Sequence, residues 1–246
     1  NQPDDSLRSG DLGQKKRFIA GSNAVDIDEC ALLAHAVEAI AQGGRASPMD
    51  SSTCSHGHIV VLSDRIEDGI EWQYSRKLIT PEGEREWQIH TVKPPENDVF
   101  LVIGNTGIHA PTSKQVEKVA SMLKNNPERM KEIETIGLIS RRGIKSLLNG
   151  DYESVGRAMS ENQLMLQSIG VSSPELESLI QAAAPSSLGA KLTGAGGGGC
   201  MVALTRNPKK TSEAIELAGG RTIISSFGAS GLMIEEDTDT PLWINT

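Results

Sequence analysis

The sequence predicts an α+β fold in which helices mix with antiparallel strands. Short β-branched stretches bounded by turn residues alternate along the chain with longer helical stretches. Many of the helical stretches carry their own start and stop signals. The 246 residues are also 37% hydrophobic, which is enough apolar material for a packed core. We therefore expect one large domain or two smaller ones.

The first part of the chain predicts one buried helix followed by a few strands. Residues 1–24 are polar and Gly-rich, which favours a loop. Acidic residues just before Cys30 favour a helix start, and the nearly continuous apolar run from Cys30 to Ala41 is typical of a helix buried on most sides. A polar loop is expected over residues 47–55. The predicted strands then cover residues 58–62, 71–74 and 86–92.

The remainder of the chain predicts several helices and a mixed ending. A polar, proline-containing segment, residues 93–98, is the best candidate for a domain boundary, and an apolar strand at residues 99–103 follows it. Asp151 and Ser173 are expected to act as helix N-caps. The predicted helices cover residues 112–125, 127–148, 151–168, 174–184 and 208–218. The later predicted strands cover residues 189–193, 200–205, 221–226 and 231–235.

The composition argues against several classes of protein. A net charge of −8 and an aromatic content of 3% provide neither the basic surface nor the stacking surface of a nucleic-acid-binding protein. Three cysteines do not make a disulfide framework and suit a reducing compartment, so we expect a cytoplasmic protein. No stretch approaches the roughly 20 apolar residues of a membrane span. The first residue is not Met, which suggests a piece of a longer protein.

A glycine-rich loop between two predicted strands is the strongest indication of a phosphate site. Five of the six residues from Gly194 to Gly199 are glycine, and such a run is entropically costly in an ordered structure. It allows backbone N–H groups to approach a phosphate closely. A flexible linker or a tight hairpin is the alternative, although a linker would not usually join two core strands.

Two familiar phosphate motifs do not explain this loop. Its spacing matches G-x-G-x-x-G, but the following residues 201–204 predict a strand where the dinucleotide fingerprint requires a helix. A P-loop needs Gly-Lys-Ser or Gly-Lys-Thr, and the chain contains neither triplet. The sequence therefore excludes both a Rossmann-type loop and Walker-type chemistry.

Two carboxylates are candidates for chemistry. Glu38 lies in the apolar helix, where a buried carboxylate would need a cation such as a metal ion, an Arg or a Lys. Asp50 ends the loop segment Ser47-Pro48-Met49-Asp50, and loops held by rigid elements often carry catalytic groups. Taken alone, a carboxylate such as Glu38 is more often part of a structural ion pair or at a helix edge. An aspartate such as Asp50 after a proline is, taken alone, more often a turn residue.

A cluster of Cys and His residues is the other candidate for chemistry, as a possible zinc site. Cys54, His56 and His58 would share one face if their segment were extended. A structural zinc site usually takes four ligands in spaced pairs, and the sequence has no second cluster. We therefore do not expect zinc here.

Together these segments resemble the mevalonate kinases of the GHMP small-molecule kinase superfamily, most closely the archaeal type. Residues 191–204, KLTGAGGGGCMVAL, resemble the third motif of that family almost residue for residue. Residues 35–50, HAVEAIAQGGRASPMD, resemble its H-x-x-E-x-x-x-Q-G-x-x-S-P-x-D segment with one extra residue. Residues 103–112, IGNTGIHAPT, resemble the start of its C-terminal domain, and Asn162-Gln163 also fits. The resemblance covers roughly residues 26–235.

The resemblance implies a site and a reaction. Asp50 would be the catalytic aspartate that takes the proton of the attacking hydroxyl, and Glu38 would help to hold Mg²⁺ on the phosphates of ATP. The complete enzyme would convert mevalonate to 5-phosphomevalonate in isoprenoid biosynthesis, and homodimers are common in the family. Thr112 and Thr193 would lie near the substrate. The residues implied near the phosphates are Gly194, Ala195, Gly196, Gly197, Gly198 and Gly199.

The resemblance also implies a two-domain arrangement. Residues 1–96 would be the remainder of an N-terminal domain with a ribosomal-protein-S5-like fold. Residues 97–246 would form a ferredoxin-like C-terminal domain with additional helices. Asp50 and the glycine-rich loop, far apart in sequence, are expected to act on the same phosphate.

The chain departs from the family pattern in ways that keep alternatives open. The N-terminal lysine motif and the P-x-G-x-G-L-G-S-S-A phosphate loop are not present, and His58 stands where the family usually has a second glycine. One alternative is another GHMP kinase, such as a phosphomevalonate kinase. Another is a non-catalytic binding protein that has lost the phosphate loop.

Overall fold

The computed structural model describes residues 26–81, 83–96, 98–226 and 228–233. These residues divide into two compact units, residues 26–93 with 228–233 and residues 94–226. Each unit combines helices with an antiparallel sheet, so the predicted α+β class is confirmed. The loop predicted over residues 1–24 lies outside the described residues. None of the helices in the described ranges has the length and apolar character needed to cross a bilayer.

The first unit is a small sheet with two helices. Strands β1 and β2 both pair antiparallel with β3, which gives the sheet order β1-β3-β2. Its apolar core is small and centres on Ala31, Tyr74 and Ile89. All three predicted strands are confirmed, although β2 runs well beyond the predicted stretch. The bounds are α1 Ile27–Ala41, α2 Met49–His56, β1 Ile59–Ser63, β2 Glu71–Thr80 and β3 Gly83–Val92.

Helix α1 begins where its acidic residues predict. The Asp26 carboxylate accepts hydrogen bonds from the backbone N–H groups of Asp28 at 3.0 Å and Glu29 at 3.4 Å, which caps the helix. The expectation that α1 is buried on most sides is wrong. Leu33, Val37 and Ile40 are exposed, because the described residues of the sheet and of α2 cover only the opposite side of the helix.

Helix α2 replaces the polar loop predicted over residues 47–55, so that prediction is wrong. Small hydroxylic residues have weak helix propensity and often favour turns. Here two of these side chains form hydrogen bonds with backbone carbonyls at the start of the helix. Ser51 Oγ donates to the Pro48 carbonyl, and Thr53 Oγ1 donates to the Met49 carbonyl. Ser52 is fully buried, so tertiary contact overrides the local preference.

The second unit has the β-α-β-β-α-β order of a ferredoxin-like fold, with a helical insertion after its first strand. Its four strands are antiparallel and lie in the order β5-β6-β4-β7. The bounds are β4 Phe100–Asn105, α3 Thr112–Asn125, α4 Met130–Leu148, α5 Tyr152–Ser168, α6 Pro174–Ala183, β5 Gly189–Leu192, β6 Cys200–Thr205, α7 Pro208–Leu217 and β7 Arg221–Ser226. The ferredoxin-like prediction is confirmed.

Most predicted elements of this second unit are found near their predicted bounds. The side chains of Asp151 and Ser173 cap α5 and α6 as expected. The strand predicted over residues 231–235 begins in a segment that belongs to the first unit. Residues 231–233 contain no strand, and residues 234–235 lie outside the described residues.

The core of the second unit lies between its sheet and its helices. Val102, Leu192 and Met201 from the sheet contact Leu176 and Leu179 of α6 in one apolar cluster. Helix α5 approaches β5 so closely that a Cβ atom at Gly189 would lie 1.9 Å from the Gly156 carbonyl oxygen. Glycine at both positions allows this contact between backbones, which positions the strand leading into the glycine-rich loop.

Candidate functional site

Asp50 lies in the first turn of α2 and is exposed. Pro48 is the N-cap residue, and its restricted φ, here −75°, suits the entry into a helix. A carboxylate is favoured at a helix N-terminus because the helix dipole is positive there. The fold therefore presents Asp50 as an accessible anionic group on an ordered helix.

Polar contacts from neighbouring elements hold α2 in place. The hydroxyls of Ser52 and Tyr74 are 3.0 Å apart, and both side chains are buried. At the other end of the helix, His56 Nε2 lies 3.3 Å from Asp28 Oδ1. Burial raises the pKa of Tyr74 to about 12, so its hydroxyl stays protonated at neutral pH. These contacts anchor the helix that carries Asp50 to both α1 and β2.

Glu38 lies on α1, which packs against the helix α2 that carries Asp50. Its side chain is half-buried, and its Oε1 accepts a hydrogen bond from Gln42 Nε2 at 3.0 Å. Burial raises the pKa of the Glu38 carboxyl, and the negative charge of Asp50 raises it further. The two carboxylates therefore interact electrostatically. Gln42 had no predicted role, although its i,i+4 spacing from Glu38 could have indicated one.

The cation expected beside Glu38 is not found among the described residues, none of which forms an ion pair with Glu38 or Asp50. Two neighbouring carboxylates without a protein cation suit Mg²⁺, which usually takes one or two carboxylates together with substrate phosphates. The described residues contain no group of three or more His, Cys, Asp or Glu side chains able to hold a metal. The residues present thus fit a metal held jointly with a phosphate ligand.

A hydrogen-bonded chain supports the segment that leads to Asp50. Arg76 Nε donates to His35 Nδ1 at 2.9 Å, so His35 Nε2 carries the proton and donates to the Ala46 carbonyl at 3.2 Å. Burial lowers the pKa of His35, and the charge of Arg76 adds to this effect. His35 is therefore a buried neutral histidine that fixes Ala46, four residues before Asp50.

The arrangement considered for zinc is not formed. Cys54 and His58 are exposed, whereas His56 is buried beside Asp28. The segment is helical rather than extended, so the three side chains do not share one face. His58 has a φ of 55°, a left-handed conformation that glycine adopts more readily. This explains why a glycine would be suitable at that position.

The glycine-rich loop closes a hairpin between β5 and β6. The Thr193 N–H donates to the Cys200 carbonyl at 3.0 Å, which continues the strand pairing into the loop. Gly194, Gly196, Gly197 and Gly199 have φ values between 74° and 82°. A side chain would strain the backbone at each of these positions, so the glycine content is a conformational requirement.

The loop is held by two other segments of the second unit. The Gly197 N–H donates to the Val171 carbonyl at 2.7 Å, and the Gly199 N–H donates to the Ile108 carbonyl at 2.8 Å. A Cβ atom at Gly196 would lie 2.1 Å from the Val171 oxygen, so this contact also requires glycine. The tight packing shows that the loop is not a free linker.

The remaining loop N–H groups are suited to binding an anion. Among the described residues, no acceptor is present for the N–H groups of Gly194, Ala195, Gly196 and Gly198. A run of backbone donors in a left-handed turn is a favourable setting for phosphate oxygens. The structure thereby narrows the phosphate prediction from six loop residues to these four unpaired donors.

The two threonines predicted near the substrate lie beside this loop. Thr193 precedes the first glycine, and Thr112 begins α3 directly after Pro111. Both are exposed. In the same first turn of α3, Gln115 packs against Gly197. The second unit therefore brings the glycine-rich loop and the start of α3 together, as it brings Val171 to the loop.

Lys191, which had no predicted role, lies on β5 three residues before Gly194. Its Nζ donates to the Leu192 carbonyl at 2.6 Å. Burial lowers the pKa of this amine. A lysine within an otherwise apolar strand, Gly189-Ala190-Lys191-Leu192, was the signal that could have identified it.

Comparisons with known protein families and with curated proteins find similarity to the same group of kinases. Residues 144–222 match the family model described as GHMP kinases C terminal. A mevalonate kinase of Pyrococcus furiosus is 36% identical over 150 residues, which is 58% of this chain and 45% of that protein. The chain spans about half the length of the curated relatives it matches.

Solved structures show the same similarity. The Methanococcus jannaschii mevalonate kinase has a TM-score of 0.55 and 25% identity, over 84% of this chain and 58% of that one. The L. major mevalonate kinase in complex with R-mevalonate has a TM-score of 0.59 and 24% identity, over 84% and 60% of the two chains. Because the L. major protein is only 24% identical, its similarity to this chain shows a shared fold and no more.

Proposed function

We propose that this chain belongs to the GHMP kinase family and that it supplies catalytic and phosphate-binding residues of a mevalonate kinase. The reaction moves the γ-phosphoryl group of ATP to the primary hydroxyl of mevalonate, which gives 5-phosphomevalonate and ADP. The names of the relatives and two separate sets of residues support this proposal. We also propose domain bounds of 1–96 and 97–246, and a cytoplasmic location.

The observation that carries the proposal is the packing of α1 against α2, which places the half-buried Glu38 of α1 and the exposed Asp50 of α2 in the same part of the first unit. Each lies at an accessible or half-buried position, the charge of Asp50 raises the pKa of Glu38, and no described cation pairs with either. Phosphoryl transfer depends on positioning and on charge neutralisation around the phosphates. Two carboxylates in this arrangement meet that need when Mg²⁺ and ATP are bound.

Each set of residues has a defined task in this reaction. The Asp50 carboxylate accepts the proton of the attacking hydroxyl as its oxygen bonds to the γ-phosphorus and the bond to ADP breaks. Glu38 would help to hold Mg²⁺, which when bound neutralises phosphate charge. The unpaired N–H groups of Gly194, Ala195, Gly196 and Gly198 bind phosphate oxygens. Thr112 and Thr193 provide hydroxyls for the substrate.

The proposal is tested by Asp50→Asn in the full-length protein. The amide keeps the shape but cannot take the hydroxyl proton, so we expect kcat to fall by about 10²-fold to 10⁴-fold. Asp68→Asn changes an exposed turn carboxylate of the same unit and serves as the matched control. ADP release is measured with mevalonate and, separately, with phosphomevalonate.

Three results would contradict parts of the proposal. Near-normal turnover of Asp50→Asn would remove Asp50 from the mechanism. ADP release with phosphomevalonate but not with mevalonate would assign a different GHMP kinase activity. Absence of both activities, together with absence of saturable Mg-ATP binding by calorimetry, would favour a non-catalytic protein.

A further inference from the structure

Gln163 joins four segments of the second unit through one buried amide. The residue is 4% exposed and lies on α5. Its Oε1 accepts a hydrogen bond from the Leu192 N–H at 2.9 Å. Its Nε2 donates to Ser172 Oγ at 3.1 Å and to Glu177 Oε1 at 2.7 Å. The amide therefore connects α5 with β5, with the turn after α5, and with α6.

Two of these contacts lie at the anchors of the glycine-rich loop. Leu192 is the last residue of β5, two positions before Gly194. Ser172 follows Val171, whose carbonyl accepts the Gly197 N–H at 2.7 Å. Gln163 thus fixes Leu192, where the chain enters the loop. It also fixes Ser172, which is next to the Val171 carbonyl that binds the middle of the loop.

The edge position of β5 explains why an amide is needed here. Among the described residues, β5 pairs only with β6, and no strand lies along its other edge. The Leu192 N–H would be left without a partner at that edge, and Gln163 Oε1 provides the acceptor. An unsatisfied buried donor is costly, so the contact stabilises the end of the strand.

The groups on the other side of the amide, Ser172 Oγ and the Glu177 carboxylate, need a hydrogen-bond donor. Glu177 accepts hydrogen bonds from Gln163, Gln167 and Ser172, which are all neutral. No described Lys, Arg or His pairs with this carboxylate. Neither Met nor Glu can replace Gln163 here, because only the amide has an acceptor for Leu192 and donors for Glu177 and Ser172.

We propose that Gln163 is a positioning residue for the glycine-rich loop. It sets the end of β5 relative to the turn at Val171 and Ser172, and thereby holds the loop with the N–H groups of Gly194, Ala195, Gly196 and Gly198 free. The consequence for phosphate binding rests on the proposed function. The structural claim does not.

The structural claim is tested by amide hydrogen exchange in Gln163→Met and Gln163→Glu. In Gln163→Met, we expect exchange of the Leu192 and Gly197 amides to accelerate about tenfold or more, because both anchors lose support. Gln163→Glu keeps an acceptor for Leu192 but repels Glu177. The Leu192 amide should then stay protected while the Gly197 amide exchanges faster. The Val102 amide, in the centre of the sheet, reports global stability and should not change.

Gln167→Met is the matched control, because Gln167 donates to Glu177 but does not contact Leu192. Its effect on the Leu192 and Gly197 amides should stay within about twofold. The inference is overturned if both amides keep wild-type exchange in Gln163→Glu and Gln163→Met. It is also overturned if both Gln163 variants accelerate amide exchange at Val102 as much as at Gly197. That result would indicate a general effect on stability and not a local one on the loop. If Gln163→Met does not fold, the contrast between Leu192 and Gly197 in Gln163→Glu decides.

Steady-state kinetics of the full-length protein then link the loop to function. We expect Gln163→Glu to raise KM for ATP by about tenfold, with a smaller change in kcat, because the loop N–H groups are displaced while Asp50 is unaffected. Altered exchange with unchanged kinetics would support the positioning role of Gln163 and contradict the phosphate role of the loop. The two hypotheses are therefore separable.

Discussion

Helices α1 and α6 are both rich in apolar residues, but they use them in opposite ways. Helix α6 buries its apolar face in the core of the second unit, where Leu176 is 0% exposed and Leu179 is 3% exposed. Helix α1 buries the small residues Ala31 and Ala39 together with His35, and leaves Val37 and Ile40 68% and 83% exposed. Similar local composition therefore leads to a large apolar contact in one unit and to a smaller, partly polar contact in the other.

The comparison shows that the two units are stabilised differently. The second unit has one extended apolar cluster between its sheet and its helices. The first unit has a small apolar cluster and several buried polar contacts, which include Arg76 with His35 and Ser52 with Tyr74. The stability contributed by apolar burial does not depend on pH, whereas the stability contributed by buried histidines does. The units should therefore respond differently to substitution and to acid.

The largest expected effect is from Leu176→Ala in α6. This change leaves a cavity in the apolar cluster and should reduce the free energy of unfolding of the second unit by about 2–5 kcal/mol. Urea denaturation followed by amide exchange at Val102 provides the measurement. A loss below about 1 kcal/mol would contradict the assignment of Leu176 to the centre of that core.

Acid should destabilise the first unit more than the second. Burial lowers the pKa of His35 and of His90, and both belong to the first unit. Below the ordinary histidine pKa near 6.5, the unfolded state binds protons that the folded state does not, so stability falls as pH falls. Each neutral histidine contributes a slope of up to about 1.4 kcal/mol per pH unit. The described part of the second unit contains only His109, which is exposed.

Amide exchange at pH 7.5 and 5.5 measures this difference. The Ile89 amide reports the first unit and the Val102 amide reports the second. His35→Gln removes one titrating group and should reduce the pH dependence at Ile89. An equal loss of protection at both amides on acidification would argue against a specific role for the buried histidines.

The smallest expected effect is from Ile40→Ser on the exposed face of α1. Ile40 has little contact with the described residues, so stability of this chain should change by no more than about 0.5 kcal/mol. Thermal denaturation beside wild type provides the comparison. A loss as large as that of Leu176→Ala would mean that this face is covered in solution.

Much of the second unit could be predicted because its signals are local. Asp151 and Ser173 cap the helices that follow them, so the starts of α5 and α6 were predicted within one residue. Helix α2 was not predicted, because it is stabilised by Ser52 meeting Tyr74, 22 positions away in sequence. The side of α1 that is buried was also not predictable, since apolar residues occur on all its sides.

The candidate site shows the same division. The glycine-rich loop, Glu38 and Asp50 stood out in the sequence, and their catalytic roles stay predictions. Gln42 left a spacing signal, whereas Gln163 left none beyond the family resemblance. The role of Gln163 depends on Leu192, Ser172 and Glu177, which lie in three other segments.

The sequence by itself determined the α+β class, the order of the elements in the second unit, and the loop that only glycine could form. These properties depend on periodicity, caps and backbone conformational freedom, which act between residues a few positions apart. The tertiary structure decided which face of α1 is buried, whether residues 49–56 form a helix, and which loop N–H groups remain available. Those properties depend on partners that are distant in sequence, and a hydrogen bond or an apolar contact exists only where folding brings both partners together.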